Sequence, residues 1–365
     1  MINSIQLKNF KCFDSVKVPL KQINLLTGFN GMGKSSLIQS VLLLRQSYQS
    51  NGLKSGLELA GSYADLGQGM DILYEKAGKD DDIEMVIEEN NSFYHYRFKY
   101  CPDSTLLENC NPDTQEKLAD VITTDNFVYL SAYRIEPLKF YRVANKQNIV
   151  KREFGNDGEY ALQYLKEYGY DSIEKSEGKS DKKESQDLNQ LVQKWLKVIS
   201  PGVSAVVDIN KMLNVSELRF QFVEGKDKTN LYRCVNVGFG LTYVLPVIVA
   251  LLSASEGDII VLENPEAHIH PAGQRKLGEL IGEMGQKGAQ IIVETHSDHI
   301  LNGIRIAVKK GCVDKDKTNF VFFYKDESDD YRHKCALPHI NEAGKFDHWP
   351  EGFFDEWDQS LMELL

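Results

Sequence analysis

The chain has 365 residues, of which 42% are hydrophobic and 10% aromatic, and a formal net charge of −11. This composition is typical of a globular protein with an apolar core, and the negative charge excludes nucleic-acid binding through bulk charge, so any such contact requires a local basic patch. The longest apolar run, residues 244–252, is far shorter than the roughly 20 residues of a membrane helix. Because six cysteines show no metal or disulfide spacing and no secretory signal is visible, we expect a cytoplasmic protein with unpaired thiols and no membrane partner.

The first third of the chain predicts short strands around one glycine-rich loop and one helix. Alternating or continuous apolar runs typical of strands cover residues 2–8, 16–18, 23–27, 83–88, 93–100 and 126–131. The runs 83–88 and 93–100 flank a short polar stretch, which favours a β-hairpin. Residues 37–45 carry apolar side chains at helical spacing, and several glycines mark residues 51–75 as a connector.

The loop Gly28-Phe-Asn-Gly-Met-Gly-Lys-Ser-Ser36 matches G-x-x-x-x-G-K-S, the phosphate-binding P-loop. It stands between a predicted strand and a predicted helix, which is the context that the motif requires. Glycines let backbone N–H groups approach a polyphosphate, and the helix N-terminus adds partial positive charge. We expect Lys34 to reach the β- and γ-phosphates of ATP and the Ser35 hydroxyl to ligate Mg²⁺. The predicted nucleotide-binding residues of the loop are Asn30, Gly31, Gly33, Lys34, Ser35 and Ser36.

The middle of the chain predicts a small helical insertion followed by returning strands. Helical patterns over residues 158–166 and 188–199 flank a charged tract at 171–190, which is typical of a solvated loop or of disorder. No heptad pattern is sustained, so we do not expect a coiled coil. Strand-like alternation returns over residues 203–209, 216–222 and 231–236.

From residue 236 onward, helices alternate with short buried strands. Helices are predicted over residues 243–254, 274–285 and 298–309, and strands over residues 258–265, 290–297 and 320–324. This alternation predicts an α/β fold with a mainly parallel sheet and ligands at the carboxyl ends of its strands. We divide the sequence into an N-terminal lobe with an antiparallel β subdomain (1–150), a helical insertion with linking strands (151–230) and a C-terminal lobe (231–365).

Two of the C-terminal strands end in polar residues that carry candidate chemistry. Ile259-Ile-Val-Leu-Glu263 is the Walker B pattern, which places a carboxylate near Mg²⁺, here with Glu where Asp is usual. Thr295-His296-Ser297 ends the next strand, where His296 can contact a γ-phosphate or an attacking water and sense hydrolysis.

Two further patterns have competing interpretations. Gly238 and Gly240 precede a predicted helix, where they either hold phosphate through backbone N–H groups or merely cap the helix. His268 and His270 invite a zinc interpretation, which we set aside because no complementary ligand set is evident in the sequence.

The motifs stand in an order that resembles that of the ABC/SMC-like AAA-type ATPases related to RecF and the OLD family. The residues that carry this resemblance are the P-loop, Ser131-Ala-Tyr-Arg134, Gly238-Phe-Gly240, Glu263-Asn-Pro-Glu-Ala-His-Ile-His-Pro271 and Glu294-Thr-His-Ser297. Residues 346–357 are similar to a C-terminal segment of one prokaryotic subgroup whose function is uncharacterised. The resemblance implies a P-loop NTPase fold with an ABC-type head, a homodimer or larger oligomer closed on ATP and Mg²⁺, and Gly238 to Gly240 as a signature motif that caps the nucleotide of the other subunit. We expect neither the long coiled coil of SMC proteins nor the C-terminal nuclease domain of OLD enzymes.

Two positions depart from the family pattern. Asn264 follows the Walker B acid where the wider family has a catalytic glutamate, so either Glu266 substitutes as the base or hydrolysis is slow and the ATP-bound dimer long-lived. The catalytic candidates are therefore Glu263, Asn264, Glu266 and His296. The glutamine loop is poorly marked, and its candidate Gln68 would join Ser35 and Glu263 as a ligand of Mg²⁺.

The first functional hypothesis is an ATPase that acts as a nucleotide-driven dimerisation switch. The resemblance favours a role in prokaryotic antiviral defence with a separately encoded effector protein, such as a nuclease. The alternative is a RecF-like DNA-binding repair or recombination ATPase, since residues 134–152 are rich in Lys and Arg with interleaved aromatic residues. That segment also fits a solvated basic face, or Arg134 acting on the nucleotide. A transporter ATPase subunit is a weaker third hypothesis, because residues 294–299 and the C-terminal segment fit it poorly.

Overall fold

The computed structural model describes residues 1–111, 118–145, 149, 153–170, 187–225 and 227–364. Its backbone divides into two compact units, Met1–Asp125 with Asp314–Leu365 (unit 1) and Asn126–Val313 (unit 2). These bounds differ from the three consecutive segments suggested by the sequence, because C-terminal residues pair with an N-terminal strand. Most of the predicted charged loop, residues 171–186, lies outside the described residues.

The first part of unit 1 surrounds the P-loop with antiparallel strands. Its elements are β1 (Ile2–Phe10), β2 (Phe13–Pro19), β3 (Ile23–Gly28), α1 (Lys34–Asn51), β4 (Gly56–Glu58), α2 (Gly69–Ile72), β5 (Ile83–Glu89), β6 (Ser92–Phe98), β7 (Leu106–Glu108) and α3 (Asp120–Thr123). Four of the strands form a sheet in the order β2-β1-β5-β6, and β4 pairs with β7. The predicted hairpin is confirmed as β5 and β6, with Asn90 and Asn91 at positive φ in the turn, as such tight turns require.

Unit 2 combines parallel strands with helices and a second antiparallel sheet. Its elements are β8 (Phe127–Leu130), β9 (Tyr141–Arg142), α4 (Ala161–Tyr168), α5 (Leu188–Ile199), β10 (Val203–Asn210), β11 (Val215–Glu224), β12 (Asp227–Lys228), β13 (Tyr232–Arg233), α6 (Phe239–Leu252), β14 (Ile259–Glu263), α7 (Pro271–Gln286), β15 (Gln290–Glu294) and α8 (Asp298–Lys309). The parallel strands lie in the order β15-β14-β8, which places Glu263 beside Glu294 at their carboxyl ends. The mostly apolar helix α6 is buried along most of its length, which explains its continuous hydrophobic sequence.

One predicted strand of unit 2 was wrong in extent. Residues 231–236 form only the two-residue strand β13, and Cys234–Asn236 is a 3₁₀ turn. Burial of the Cys234 side chain explains the turn, because its Sγ donates to the carbonyl oxygen of Leu138 at 3.0 Å and lies 3.2 Å from the Tyr141 hydroxyl.

The C-terminal part of unit 1 returns to the P-loop strand. Its elements are a 3₁₀ turn (Lys315–Lys317), β16 (Thr318–Asp326), β17 (Arg332–Ala336) and α9 (Glu356–Leu364). Strand β16 pairs in parallel with β3, and β17 pairs antiparallel with β16. Beyond β17, Phe353 is fully buried, and its ring centroid lies 5.3 Å from that of Phe346 and 5.2 Å from that of Trp349. The C-terminal residues therefore complete the core beside the P-loop strand.

The predicted α/β class is confirmed, with parallel strand pairs, flanking helices and antiparallel sheets. All six cysteines lie in the described ranges and are free thiols. A search of the described helices finds none with the length and apolar character needed to cross a membrane.

Candidate nucleotide-binding site

The P-loop joins the end of β3 to the first turn of α1, as the sequence predicted. Gly28 (φ 139°) and Gly33 (φ 111°) both adopt backbone conformations that favour glycine. A Cβ at Gly28 would lie 2.3 Å from the carbonyl oxygen of Phe323, and one at Gly33 would lie 2.2 Å from the Phe13 ring. Gly31 (φ 79°) has open space where a side chain would stand. The motif glycines therefore serve both the turn geometry and close packing against neighbouring strands.

Lys34 is the first residue of α1 and is 4% exposed. Its Nζ donates to the carbonyl oxygens of Gly28 at 2.9 Å and Phe29 at 3.0 Å, so the ammonium group lies folded over its own loop. These acceptors are neutral, and an anionic phosphate at the helix N-terminus would attract the ammonium group more strongly.

A cavity of about 440 Å³ opens beside this loop. Its volume falls within the range of roughly 300–1,000 Å³ that small-molecule sites occupy. Five of the predicted loop residues line it: Gly31, Gly33, Lys34, Ser35 and Ser36. The predicted residues Asn30 and Gln68 do not belong to its lining. Unit 1 thus brings most of the predicted P-loop residues to one cavity.

The cavity also has lining residues that sequence reasoning missed, namely Lys11, Cys12, Gln39, Asp71, Leu73 and Glu75. The first two stand in the β1–β2 turn, where the Lys11 N–H donates to the carbonyl oxygen of Ile72 at 2.7 Å and so holds the turn against α2. Burial lowers the pKa of Lys11, whose Nζ donates to Gln39 Oε1 at 2.7 Å, and burial raises the pKa of the Cys12 thiol.

Gln68 is exposed and stands at the N-terminus of α2. Its N–H donates to the carboxylate of Asp71 at 2.8 Å. This hydrogen bond is part of a capping box between Gln68 and Asp71. The three-residue spacing of a capping box is visible in the sequence and could have identified Asp71. The role of Gln68 as a Mg²⁺ ligand stays a prediction.

His333 is a further residue of this region that no sequence motif indicated. Its ring hydrogen-bonds the backbone of Cys12 and of Gly31, and lies edge-on to Phe13 with 6.3 Å between ring centroids. Burial, followed by the charge of Lys325, lowers the pKa of His333. Strand β17 thereby supports the P-loop from a position distant in sequence.

Unit 2 places the predicted Walker B carboxylate at the end of β14. Oε2 of Glu263 accepts the Ala132 N–H at 3.2 Å, and the carboxylate also accepts the hydroxyl of Tyr129. Burial raises the pKa of Glu263, although these two donors and the charge of Arg134 act in the opposite direction. Its neighbour Asn264 adopts a left-handed conformation with φ 43° and donates its N–H to the carbonyl oxygen of Glu294 at 2.8 Å.

Glu266 and His296 are in direct contact. The His296 backbone N–H donates to Glu266 Oε1 at 3.0 Å, and the Thr295 side chain also hydrogen-bonds this carboxylate. Within the described ranges, Glu266 Oε2 is buried without a hydrogen-bond partner. Burial raises the pKa of Glu266. The His296 side chain is exposed, and its predicted contact with a γ-phosphate stays a prediction.

Gly238 and Gly240, at the start of α6, have different surroundings. Gly238 is the exposed N-cap residue, with open space at the Cβ position, whereas a Cβ at Gly240 would lie 2.2 Å from the carbonyl oxygen of His268. The exposed ring of Phe239 lies 5.8 Å from that of His268, which in turn lies 4.9 Å from Tyr243. Gly240 is therefore explained by packing, while Gly238 is exposed and has open space at its Cβ position.

The two histidines after β14 have structural positions. His268 stacks against the aromatic side chains at the start of α6. His270 is the N-cap residue of α7, and its Nδ1 accepts the Ala272 N–H at 3.2 Å. Capping of a helix explains the presence of a polar residue directly before Pro271.

The basic residues of the segment 134–152 differ in their exposure to solvent. Lys139 and Arg142 are exposed, whereas Arg134 is buried. Lys146, Lys151 and Arg152 lie outside the described residues. Arg134 therefore cannot belong to a solvated basic face.

Three protein-family models together match residues 1–302 and 313–364 of the chain. The model described as "AAA ATPase domain" matches residues 1–200, the model described as "AAA domain, putative AbiEii toxin, Type IV TA system" matches residues 145–302, and "Protein of unknown function (DUF3696)" matches residues 313–364. The last match contains the C-terminal segment that resembles an uncharacterised prokaryotic subgroup. The chain is also 23% identical over 382 aligned positions to the OLD nuclease of Thermus scotoductus (strain ATCC 700910 / SA-01), an alignment that covers 95% of this chain and 68% of that protein.

Solved structures with a similar fold are SMC head domains. The SmcHead bound to the C-winged helix domain of ScpA has a TM-score of 0.54 at 15% identity, with 94% of this chain and 98% of that chain covered. The Smc head domain from Pyrococcus furiosus with an extended coiled coil, bound to the C-terminal domain of ScpA, has a TM-score of 0.53 at 14% identity, with 100% and 99% covered. These comparisons confirm the resemblance to SMC-like AAA ATPases of the OLD type. Since the AAA ATPase domain model matches more than half of this chain, the chain belongs to the AAA ATPase domain family, and it has the fold of an SMC head.

Proposed function

We propose that this ATPase is a conformational switch in which ATP and Mg²⁺ bind at the P-loop and hold two copies of the chain together until hydrolysis releases them. The observation that carries the proposal is the position of Lys34. Its buried ammonium group lies at the N-terminus of α1, beside a cavity of about 440 Å³, on neutral carbonyl acceptors that a triphosphate can replace. Binding of ATP would thereby change the contacts of Gly28 and Phe29.

The donors available for Mg²⁺ are oxygen atoms, which is the chemistry that this ion prefers. The hydroxyl of Ser35 and the carboxylate of Asp71 line the P-loop cavity. Of the three residues predicted from the sequence to hold the ion, Ser35 belongs to this lining and Glu263 and Gln68 do not, and we propose that these three hold it directly or through water. When bound, Mg²⁺ would neutralise charge on the β- and γ-phosphates.

Glu266 is our candidate for the general base in place of Asn264. One of its oxygens is held by the His296 N–H, and the other is buried without a hydrogen-bond partner among the described residues, so it would accept a proton from a water that reaches this position. Burial raises the pKa of Glu266, which makes the carboxylate a stronger base than a solvated glutamate. Slow turnover with a long-lived dimer remains the alternative, and the rate of hydrolysis decides between them.

The dimer proposal assigns the exposed N-terminus of α6 to the nucleotide of the second copy. Gly238 is exposed and has open space at its Cβ position, and the first turn of the helix carries partial positive charge. Gly240 supports this turn through its contact with His268. His296, exposed at the end of β15, would sense the γ-phosphate.

A role in prokaryotic antiviral defence is the physiological part of the proposal. It draws support from the OLD nuclease relative and from the match to a domain of Type IV TA systems. The effector would be a separate protein, such as a nuclease, that responds to opening and closing of the dimer.

The test compares wild type, Lys34→Ala and Lys54→Ala, a control at an exposed lysine outside the cavity. We expect Lys34→Ala to weaken ATP binding about 10- to 100-fold, since a charge-assisted contact is lost, and to abolish the ATP-dependent dimer. Calorimetry with a non-hydrolysable analogue and light scattering after size exclusion measure the two effects. A Lys34→Ala protein that binds ATP and dimerises like the Lys54→Ala control would contradict the proposal.

A further inference from the structure

Arg134 has an unusual set of partners for a buried cation. It is 4% exposed, and its Nη1 donates to the carbonyl oxygens of Ser131 at 3.0 Å and Glu263 at 2.7 Å, while Nη2 donates to the carbonyl oxygen of Asn264. Within the described ranges no carboxylate lies within ion-pair distance of this guanidinium. The planar fork of arginine thus spans two chain segments by binding backbone oxygens.

One of the carbonyls that Arg134 binds belongs to a residue with a left-handed backbone conformation. Asn264 has φ 43°, which is uncommon for non-glycine residues, although asparagine adopts it more readily than most. Its N–H is bound by Glu294 and its carbonyl oxygen by Arg134, so both polar groups of this residue's backbone are engaged. The Ala267 N–H donates to the same carbonyl oxygen at 3.2 Å, so these three contacts together set the direction of the chain after β14.

The same loop also holds the Walker B side chain. The Ala132 N–H donates to Glu263 Oε2, so residues 131–134 contact the carboxylate of Glu263 on one side and its carbonyl oxygen on the other. The loop is itself anchored, because Ser131 Oγ donates to Asp157 Oδ1 at 2.9 Å and the Ser131 N–H donates to the carbonyl oxygen of Asn156 at 2.7 Å.

We propose that Arg134 is a positioning residue for ATP hydrolysis, which holds the turn Glu263-Asn264 so that Glu263 and Glu266 keep their places without itself touching the nucleotide. The inference rests on the proposed function, because these carboxylates matter only if they act on ATP. It differs from the sequence hypothesis that Arg134 acts on the nucleotide directly, since both terminal nitrogens are already bound to protein carbonyls. The positive charge also stabilises the ionised forms of both carboxylates.

The test uses Arg134→Lys, which keeps the charge but loses the fork, and Arg134→Met, with Arg142→Lys and Arg142→Met as exposed controls. We expect kcat to fall about 100-fold, the loss that small misplacement of reacting groups can cause, while the dissociation constant for ATP stays within twofold of wild type. Amide exchange across residues 262–267 should become faster in both Arg134 variants and stay unchanged in both controls. If Arg134→Met does not fold, Arg134→Lys decides the outcome.

A rescue experiment separates positioning from a general structural role. Glycine adopts φ 43° without steric strain, so Asn264→Gly should reduce the loss of kcat caused by Arg134→Lys when the two are combined. The proposal is overturned if Arg134→Lys has the kcat and the amide exchange rates of the wild type. It is also overturned if Arg134→Lys binds ATP more weakly but keeps its kcat, because Arg134 would then act on the nucleotide directly. If the wild-type protein binds ATP but does not hydrolyse it, the part of the proposed function that concerns hydrolysis is wrong. The amide exchange rates then still show whether Arg134 holds the turn at Asn264.

Discussion

Glu263 and Glu266 stand three positions apart, and their surroundings differ in a way that agrees with the different roles proposed for them. The carboxylate of Glu263 is held in place by the Ala132 N–H and the Tyr129 hydroxyl, which oppose the effect of burial on its pKa. Glu266 is held at one oxygen by His296, and its other oxygen has no partner among the described residues. The sequence identified both as candidates, but the division of roles follows from partners on other elements.

Substitution of Glu266 tests this division at the level of a single group. We expect Glu266→Gln to lower kcat about 10²- to 10⁴-fold, the usual contribution of a general base, with ATP binding retained. Because burial raises the pKa of Glu266, the base loses its charge, and activity falls, at a pH above the ordinary glutamate value as the solution is acidified. Phosphate release measured from pH 5 to 8 checks both effects, with Glu256→Gln as a control at an exposed glutamate. Wild-type turnover in Glu266→Gln would place the base elsewhere.

At the level of elements, the P-loop is supported by strands that come from both ends of unit 1. Phe13 of β2 occupies the space beside Gly33, Phe323 of β16 lies against Gly28, and His333 of β17 binds the backbone of Gly31. The motif alone predicted a strand, a loop and a helix, and their bounds were close, since apolar periodicity marks them directly. The supporting residues were not predictable, because nothing local in their sequence records which loop they contact.

The contact between Gly33 and Phe13 gives a prediction for stability. Gly33→Ala should destabilise unit 1 by about 1–2 kcal/mol for the backbone conformation and by about 1–3 kcal/mol more for the clash with the Phe13 ring. Gly52→Ala is the matched control, since Gly52 also belongs to unit 1 and has positive φ (72°) but open space at its Cβ position. Urea unfolding of the nucleotide-free proteins measures both changes. Equal losses for the two variants would show that the Phe13 ring moves aside at no cost.

At the level of the whole molecule, the proposed dimer assigns the two halves of each nucleotide site to different copies. Lys34 and Gly238 belong to different compact units of the chain. If each ATP lies between Lys34 of one copy and Gly238 of the other, a defect in each can be complemented by mixing. Such a composite site is the consequence of a two-fold, self-complementary interface.

Mixing of Lys34→Ala and Gly238→Asp proteins tests the composite site. The aspartate should leave the fold intact, because the Cβ position at Gly238 is open and aspartate is a good N-cap residue, but its charge should repel the triphosphate. Each variant alone should hydrolyse ATP at background rate, while an equal mixture should regain between about one quarter and one half of wild-type activity, because at least half of the dimers are mixed and each mixed dimer contains one intact site of two. Recovery no greater than the sum of the separate variants would indicate that each copy works alone.

Local chemistry allowed the sequence by itself to determine the P-loop, the Walker B strand, the α/β class and the family resemblance. A glycine loop between strand and helix, or four apolar residues before an acid, is a pattern complete within a few residues. Only the tertiary structure decided that His333 supports the P-loop, that Gly240 is required by His268, and that Arg134 binds the turn at Asn264 instead of solvent. These relations join residues far apart in the chain, and close packing, not periodicity, selects them.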